Sequence, residues 1–144
     1  MDDFQLYRSL VDQSPDAVIF ADRDGVVRLW NRRAEAVFGF PAEELIGRNL
    51  DAIIPERLRS RHAEGFKRAV ETGSPKYVDR VLTTRSVHKS GRKLYVDLSF
   101  GLIKDEAGRV VGVMATARDC TESYEARKAS QAACQNPASR IAPE

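Results

Sequence analysis

The feature that most constrains this chain is the segregation of its two periodicities. Segments with strand spacing fall into two groups, one near each end, and segments with helix spacing lie between them. In the first group, Ala17–Asp22 is a short apolar run. Arg23-Asp24-Gly25 then offers the positive backbone angles of a tight turn, and Val26–Trp30 returns. The second group has three members. Val78–Val87 is rich in Thr and Val. Leu94–Phe100 alternates, with Leu94, Val96, Leu98 and Phe100 on one face and Asp97 and Ser99 on the other. Val110–Ala117 closes the group. Polar turns at His88–Arg92 and Asp105–Gly108 separate the three. Strands bracketing helices predict an α+β fold with a five-stranded antiparallel sheet. One sheet face must then be covered by the intervening helices, with ligand space between helix and sheet.

The helical segments have readable ends. Phe4 to Val11 is predicted as a short amphipathic helix, broken by Ser14-Pro15-Asp16. Asn31 caps a helix that runs to Phe38 and stops at Gly39. Pro41–Leu45 is one further turn, closed by Gly47. A longer helix covers 55–72 and ends at Thr72-Gly73-Ser74-Pro75, and a last, polar helix spans about Glu122 to Ala133. From Asn136 onward the chain has two prolines and little to bury, which predicts disorder.

His62 stands out on the longest helix. Leu58, His62, Phe66 and Ala69 recur at spacings of four, four and three and share the face that must point inward, while Arg57, Arg61, Glu64, Lys67 and Arg68 lie off that stripe. An imidazole on an apolar stripe has two readings. It is a packed core histidine with a hydrogen-bond partner, or its neutral nitrogen ligates a metal, most readily a haem iron. His88, 26 residues on in a polar turn, does not suggest a metal pair with it.

Composition excludes more than it assigns. A length of 144 residues suits one domain, and 42% hydrophobic with 31% charged residues is ordinary for a soluble globular chain. A net charge of +2 gives no case for nucleic acid or a membrane surface, and no apolar run is long enough to span a bilayer. The N-terminus lacks a signal peptide's basic start and apolar centre, and Cys120 and Cys134 have neither zinc-site spacing nor a strong disulfide pattern. The expected compartment is a reducing cytoplasm. There is no phosphate-binding glycine loop, no nucleophile–base–acid order and no paired carboxylates in a motif, so catalysis is not expected.

Many dispersed residues resemble the PAS domain, the sensory box of signalling proteins. Its opening half is echoed by Ser14-Pro15-Asp16-Ala17-Val18-Ile19, by Asp24-Gly25 through Trp30-Asn31-Arg32-Arg33-Ala34 to Phe38-Gly39-Phe40, and by Leu45-Ile46-Gly47-Arg48. Its end is echoed by Asp105–Asp119 and by Asp119-Cys120-Thr121-Glu122, which joins the last strand to an exit helix. The resemblance implies the sheet order 2-1-5-4-3. It implies a flanking helix over 1–13, the PAS domain over 14–120, an exit helix over 121–133 and a tail over 134–144.

Ile54-Pro55-Glu56 and Arg59-Ser60-Arg61-His62 further resemble the rhizobial haem-PAS oxygen-sensor kinases (FixL type). That likeness implies haem b, with His62 as the proximal iron ligand and Arg68 and Lys76 at the propionates. Tyr77, Leu98 and Phe100 fall on its gas-pocket positions, and Leu58 and Phe66 flank the ligand on the helix. Leu82 stands where those sensors carry an oxygen-stabilising arginine, so this sequence lacks that donor. The reactive-cysteine motif of the flavin-binding light sensors is missing, since 31–73 contains no cysteine. The expected function is a sensory module that binds a small ligand or cofactor between helix 55–72 and the sheet, haem b for gas or redox sensing or else an unidentified small molecule, and relays occupancy through its exit helix. The alternative is a cofactor-free dimerisation or interaction module. In either case a homodimer through the N-terminal helix and the sheet is expected, with a downstream effector as partner.

Overall fold

The apolar run that opens the sheet becomes β1 (Ala17–Asp22), which buries Ala17, Ile19 and Ala21 on one face. The computed structural model describes residues 1–74 and 80–135. β1 turns back through Gly25, at φ 81°, into β2 (Val27–Trp30). The Asp22 carboxylate ties this turn by accepting from the amides of Asp24 and Val26 at 2.9 and 3.1 Å. The other strands are β3 (Leu82–Val87), β4 (Lys93–Lys104) and β5 (Val110–Asp119). The sheet order is β2-β1-β5-β4-β3 and every neighbouring pair is antiparallel. This is the order that the resemblance implies.

Among the described residues, five α-helices accompany the sheet. α1 (Asp3–Asp12) starts one residue earlier than the apolar spacing suggests, because Asp2 and Gln5 form a reciprocal capping box. α2 (Arg32–Phe38) is capped by Asn31 and ends at Gly39, whose φ of 80° suits a residue without a side chain. α3 (Ala42–Leu45) is a single turn. α4 (Arg59–Thr72) and α5 (Thr121–Gln135) complete the set.

Several boundaries differ from expectation for local reasons. The helix expected over 55–72 begins as a 3₁₀ turn, Glu56–Leu58, in which the Leu58 amide donates to the Pro55 carbonyl at 2.8 Å. α geometry starts only at Arg59, whose Nε reaches back to the Ile54 carbonyl at 3.0 Å. The third strand, expected from Val78, pairs only from Leu82, where its register with β4 begins at Leu98. Val78 and Asp79 lie outside the described residues. α5 extends through Cys134 and Gln135, the first two residues of the expected tail, and the rest of that tail is not described.

The register sorts the sheet into two faces. Leu82, Thr84, Ser86, Leu94, Val96, Leu98, Phe100, Val113, Ala115, Ala117, Ala17, Ile19 and Ala21 share the face toward the helices. Asp97 and Ser99 fall on the opposite face, as their alternation suggests. The main core joins Ala17, Ile19, Val27, Trp30, Leu94, Val96 and Ala117 to Ala34, Val37 and Phe38 of α2, Leu45 of α3 and Ile53. No residue of α4 belongs to it, and α4 fully buries only Val70. Phe100, Leu102, Val113 and Ala115, on the inward face farther along the sheet, stay only half-covered. The helices therefore close one part of the sheet tightly and leave the part near α4 loose.

Candidate functional site

α4 presents the stripe that its spacing predicts. His62, Phe66, Ala69 and Val70 are its half-buried or buried positions, Leu58 in the preceding 3₁₀ turn is half-buried too, and the intervening Arg61, Glu64, Lys67 and Arg68 are exposed. The His62 and Phe66 rings lie one turn apart with centroids 6.3 Å from each other. Among the described residues the His62 ring has no hydrogen-bond partner, and its nitrogens still reach solvent. Burial holds the imidazole below the ordinary histidine range, with the Asp51 carboxylate pulling weakly the other way. At neutral pH the side chain is thus a neutral, unengaged nitrogen donor, as a metal ligand must be.

His62 opens onto a cleft of about 470 Å³. One wall is α4, through His62, Phe66 and Val70, and the other is the β1–β2 turn with Asn49, Leu50 and Asp51. Arg23, Arg59 and Lys67 bring positive charge to it, and Asp24, Asp51 and Glu71 bring negative charge. A second cleft, about 740 Å³, adjoins the first toward the β4–β5 turn and shares Arg23, Val70 and Glu71 with it. Both volumes lie in the range of small-molecule sites. Among the described residues no three His, Cys, Asp or Glu side chains are grouped to hold a metal ion. A single imidazole suits a metal that brings most of its own ligands, as in haem, better than a bare ion.

A second region of interest joins the sheet to α5. Thr121 accepts the Tyr95 amide on its hydroxyl at 2.9 Å and donates to Asp119 at 2.6 Å, while the Cys120 amide donates to the Tyr95 carbonyl at 2.9 Å. Tyr124 stacks on Tyr95 at 3.9 Å, with Arg85 over the outer side of Tyr95 and Lys128 over Tyr124. Burial, with Asp97 beside it, pushes the Cys120 thiol up to about 11, so this cysteine is an inert thiol at neutral pH.

Residues 11–125 match the PAS fold family. The chain belongs to that family. This PAS domain is 33% identical over 96 residues to the sensor protein FixL of Bradyrhizobium diazoefficiens, a match covering 65% of the chain and 19% of FixL. It is 28% identical over 111 residues to the oxygen sensor protein DosP of Escherichia coli, covering 77% of the chain and 14% of DosP. It is also 32% identical over 123 residues to an uncharacterized protein of Azorhizobium caulinodans, covering 85% and 16%. The chain thus spans less than a fifth of each of these relatives. Among solved structures, the PAS domain of a Colwellia psychrerythraea protein superposes with a TM-score of 0.72 at 22% identity, over 84% of this chain and 99% of that one. An RNA-binding light-oxygen-voltage receptor superposes with a TM-score of 0.68 at 20% identity, over 84% and 34%. These structures share the fold.

The PAS domain brings some of the expected site residues together and separates others. His62 and Phe66 line the same cleft, whereas Leu58 lies one turn earlier, half-buried and outside the lining. Leu82 and Leu98 are register partners on the inward sheet face, and Phe100 follows on that face, but none of the three lines either cleft. Arg68 is exposed and outside both linings, about 120° around the helix from His62. Lys76 and Tyr77 lie outside the described residues. Sequence reasoning missed Val70, although it continues the stripe at i+4 from Phe66. It also missed Arg23, which no local pattern marks because the sheet alone brings its turn to α4. No described helix is long and apolar enough to cross a membrane.

Proposed function

We propose that this PAS domain is a sensory module that holds haem b beside α4, with His62 as the iron ligand, and relays occupancy through the Tyr95–Thr121 joint to α5. The observation that carries this reading is the neutral His62 imidazole, without a hydrogen-bond partner among the described residues and set on the inward stripe of α4 at a cleft of ligand size. The matches to FixL and DosP support it. When bound, haem supplies an iron that takes a gas ligand or changes oxidation state. His62 would orient that iron and Phe66 would pack beside it. Leu82 offers no hydrogen-bond donor, so carbon monoxide should bind relatively better than oxygen. Relay requires that the ligand favour one of two arrangements of the joint, since binding both equally shifts nothing. The test is expression with a haem precursor. Wild type should show a Soret band, and His62→Ala should stay folded and lose it. An unchanged band in His62→Ala would sink the ligand assignment.

The second reading, a cofactor-free dimerisation module, rests on α1. That helix buries none of its residues, and Phe4, Leu6, Tyr7 and Leu10 are exposed along it. A second copy of the chain is the partner proposed for this surface and the outer sheet face. Light scattering should give twice the 16.1 kDa of one chain. Leu6→Glu with Leu10→Glu should return a monomer, and a monomeric wild type at micromolar concentration would refute the dimer.

A further inference from the structure

Two arginines in the His62 cleft share a feature that the other charged groups there lack. Arg23 approaches from the β1–β2 turn and donates one guanidinium N–H to the Val110 carbonyl at 2.7 Å. Arg59 approaches from the first turn of α4 and donates its Nε–H to the Ile54 carbonyl at 3.0 Å. Each is therefore aimed by a backbone oxygen, and among the described residues neither forms an ion pair. Lys67, the third cation of the cleft, is different: it lies 4.0 Å from Glu71. A guanidinium that spends one N–H on a carbonyl keeps the forked pair that matches a carboxylate, and it gives up less side-chain freedom on binding than a free one. The carboxylates of Asp24, Asp51 and Glu71 also line the cleft, so it is not a general sink for anions. It favours a ligand whose negative charge is delivered at defined points.

We infer that Arg23 and Arg59 are the anchors for the two carboxylates of a ligand seated against His62. This rests on the haem reading above, in which those carboxylates are the propionates, and it differs from the assignment that the resemblance implies, which uses Arg68. It makes the β1–β2 turn part of the binding site. Because the same Arg23 guanidinium holds Val110 at the start of β5, the anchor also ties an occupied cleft to the strand that leads to α5.

The test is haem titration of the full chain, followed by the Soret band, with Arg23→Ala, Arg59→Ala, their combination and Arg68→Ala, each checked for an unchanged fold through Trp30 fluorescence. Both side chains are exposed, so each single change should weaken uptake roughly threefold to fivefold, with the band position unchanged. Haem dimethyl ester is the second probe. Wild type should prefer the diacid over the ester, and the double variant should have lost that preference. Uptake that is unchanged in the double variant, or a diacid preference that survives in it, overturns this inference and leaves the haem reading standing. Weakened uptake in Arg68→Ala alone does the same. A wild type that takes up neither probe overturns both.

Discussion

Removing the side chain of Asn31 should destabilise this domain more than any other single polar truncation in it. Asn31 is 2% exposed and uses its whole amide. Its Oδ1 accepts from the amides of Val18 at 2.9 Å and Ala34 at 3.0 Å, and its Nδ2 donates to the carbonyls of Val11 at 2.7 Å and Asp16 at 3.2 Å. One residue thus caps α2, satisfies the Val18 amide at the start of β1 and ties the end of α1 to the sheet. Asn31→Ala loses a helix cap, worth about 1 kcal/mol. It also orphans the Val18 amide, at about 1–3 kcal/mol, and leaves two partly buried carbonyls to water at roughly 0.5–1 kcal/mol each. The sum is about 3–6 kcal/mol, a large share of a typical domain's stability. Asn31→Asp separates the components. It keeps both acceptor bonds but sets a buried carboxylate against the Val11 and Asp16 carbonyls, so at pH 7 it should be no better than Ala. Urea denaturation followed by Trp30, itself 4% exposed, measures both variants. Hydrogen exchange of α1 reports the tether. A loss below about 1 kcal/mol for Asn31→Ala, with α1 exchange unchanged, would refute this account.

His62→Leu should leave the apo domain as stable as wild type, within about 1 kcal/mol, because among the described residues the ring has no hydrogen-bond partner to orphan; a loss above about 3 kcal/mol would show a structural histidine instead. The same variant fixes the pH dependence. The folded pKa of His62 is lowered, so the unfolded chain protonates first; stability is flat above the unfolded value near 6.5 and falls as pH drops from there toward the folded pKa. Urea midpoints of His62→Leu should decline less across that window than those of wild type. Gly112→Ala should cost about 2–3 kcal/mol, since a β-carbon there meets the Ala21 carbonyl and the Phe20 ring, and thermal melts check it. Tyr124→Ala should cost about 0.5–1.5 kcal/mol of α5 docking, seen as lost helical circular dichroism with the Trp30 transition nearly unmoved.

The elements with local causes were legible in the sequence. Asp24-Gly25 turns where its backbone preference says, Asn31 and Gly39 bound α2, and the spacing of Leu58, His62 and Phe66 names the inward stripe of α4. The cleft was legible only from the helix side. Its far wall comes from the β1–β2 turn and Asn49–Asp51, which reach α4 through sheet pairing and not through any periodicity of their own. For the same reason Leu98 and Phe100 fall on the expected sheet face but outside the lining of either cleft. The 3₁₀ entry to α4 was equally hidden, because Pro55 marks a helix start without saying how tightly its first turn is wound.

The absence of α4 from the main core has a consequence for how such a domain can change over generations. Substitutions at Ala17, Phe38, Leu45 or Leu94 disturb packing that the whole chain depends on, and most of them will be purged. Substitutions along α4 meet little such resistance, because apart from Val70 its residues carry few contacts that folding requires. The helix that walls the cleft is therefore the part that drift can sample most freely, and a lineage can exchange one set of cleft side chains for another without passing through an unfolded intermediate.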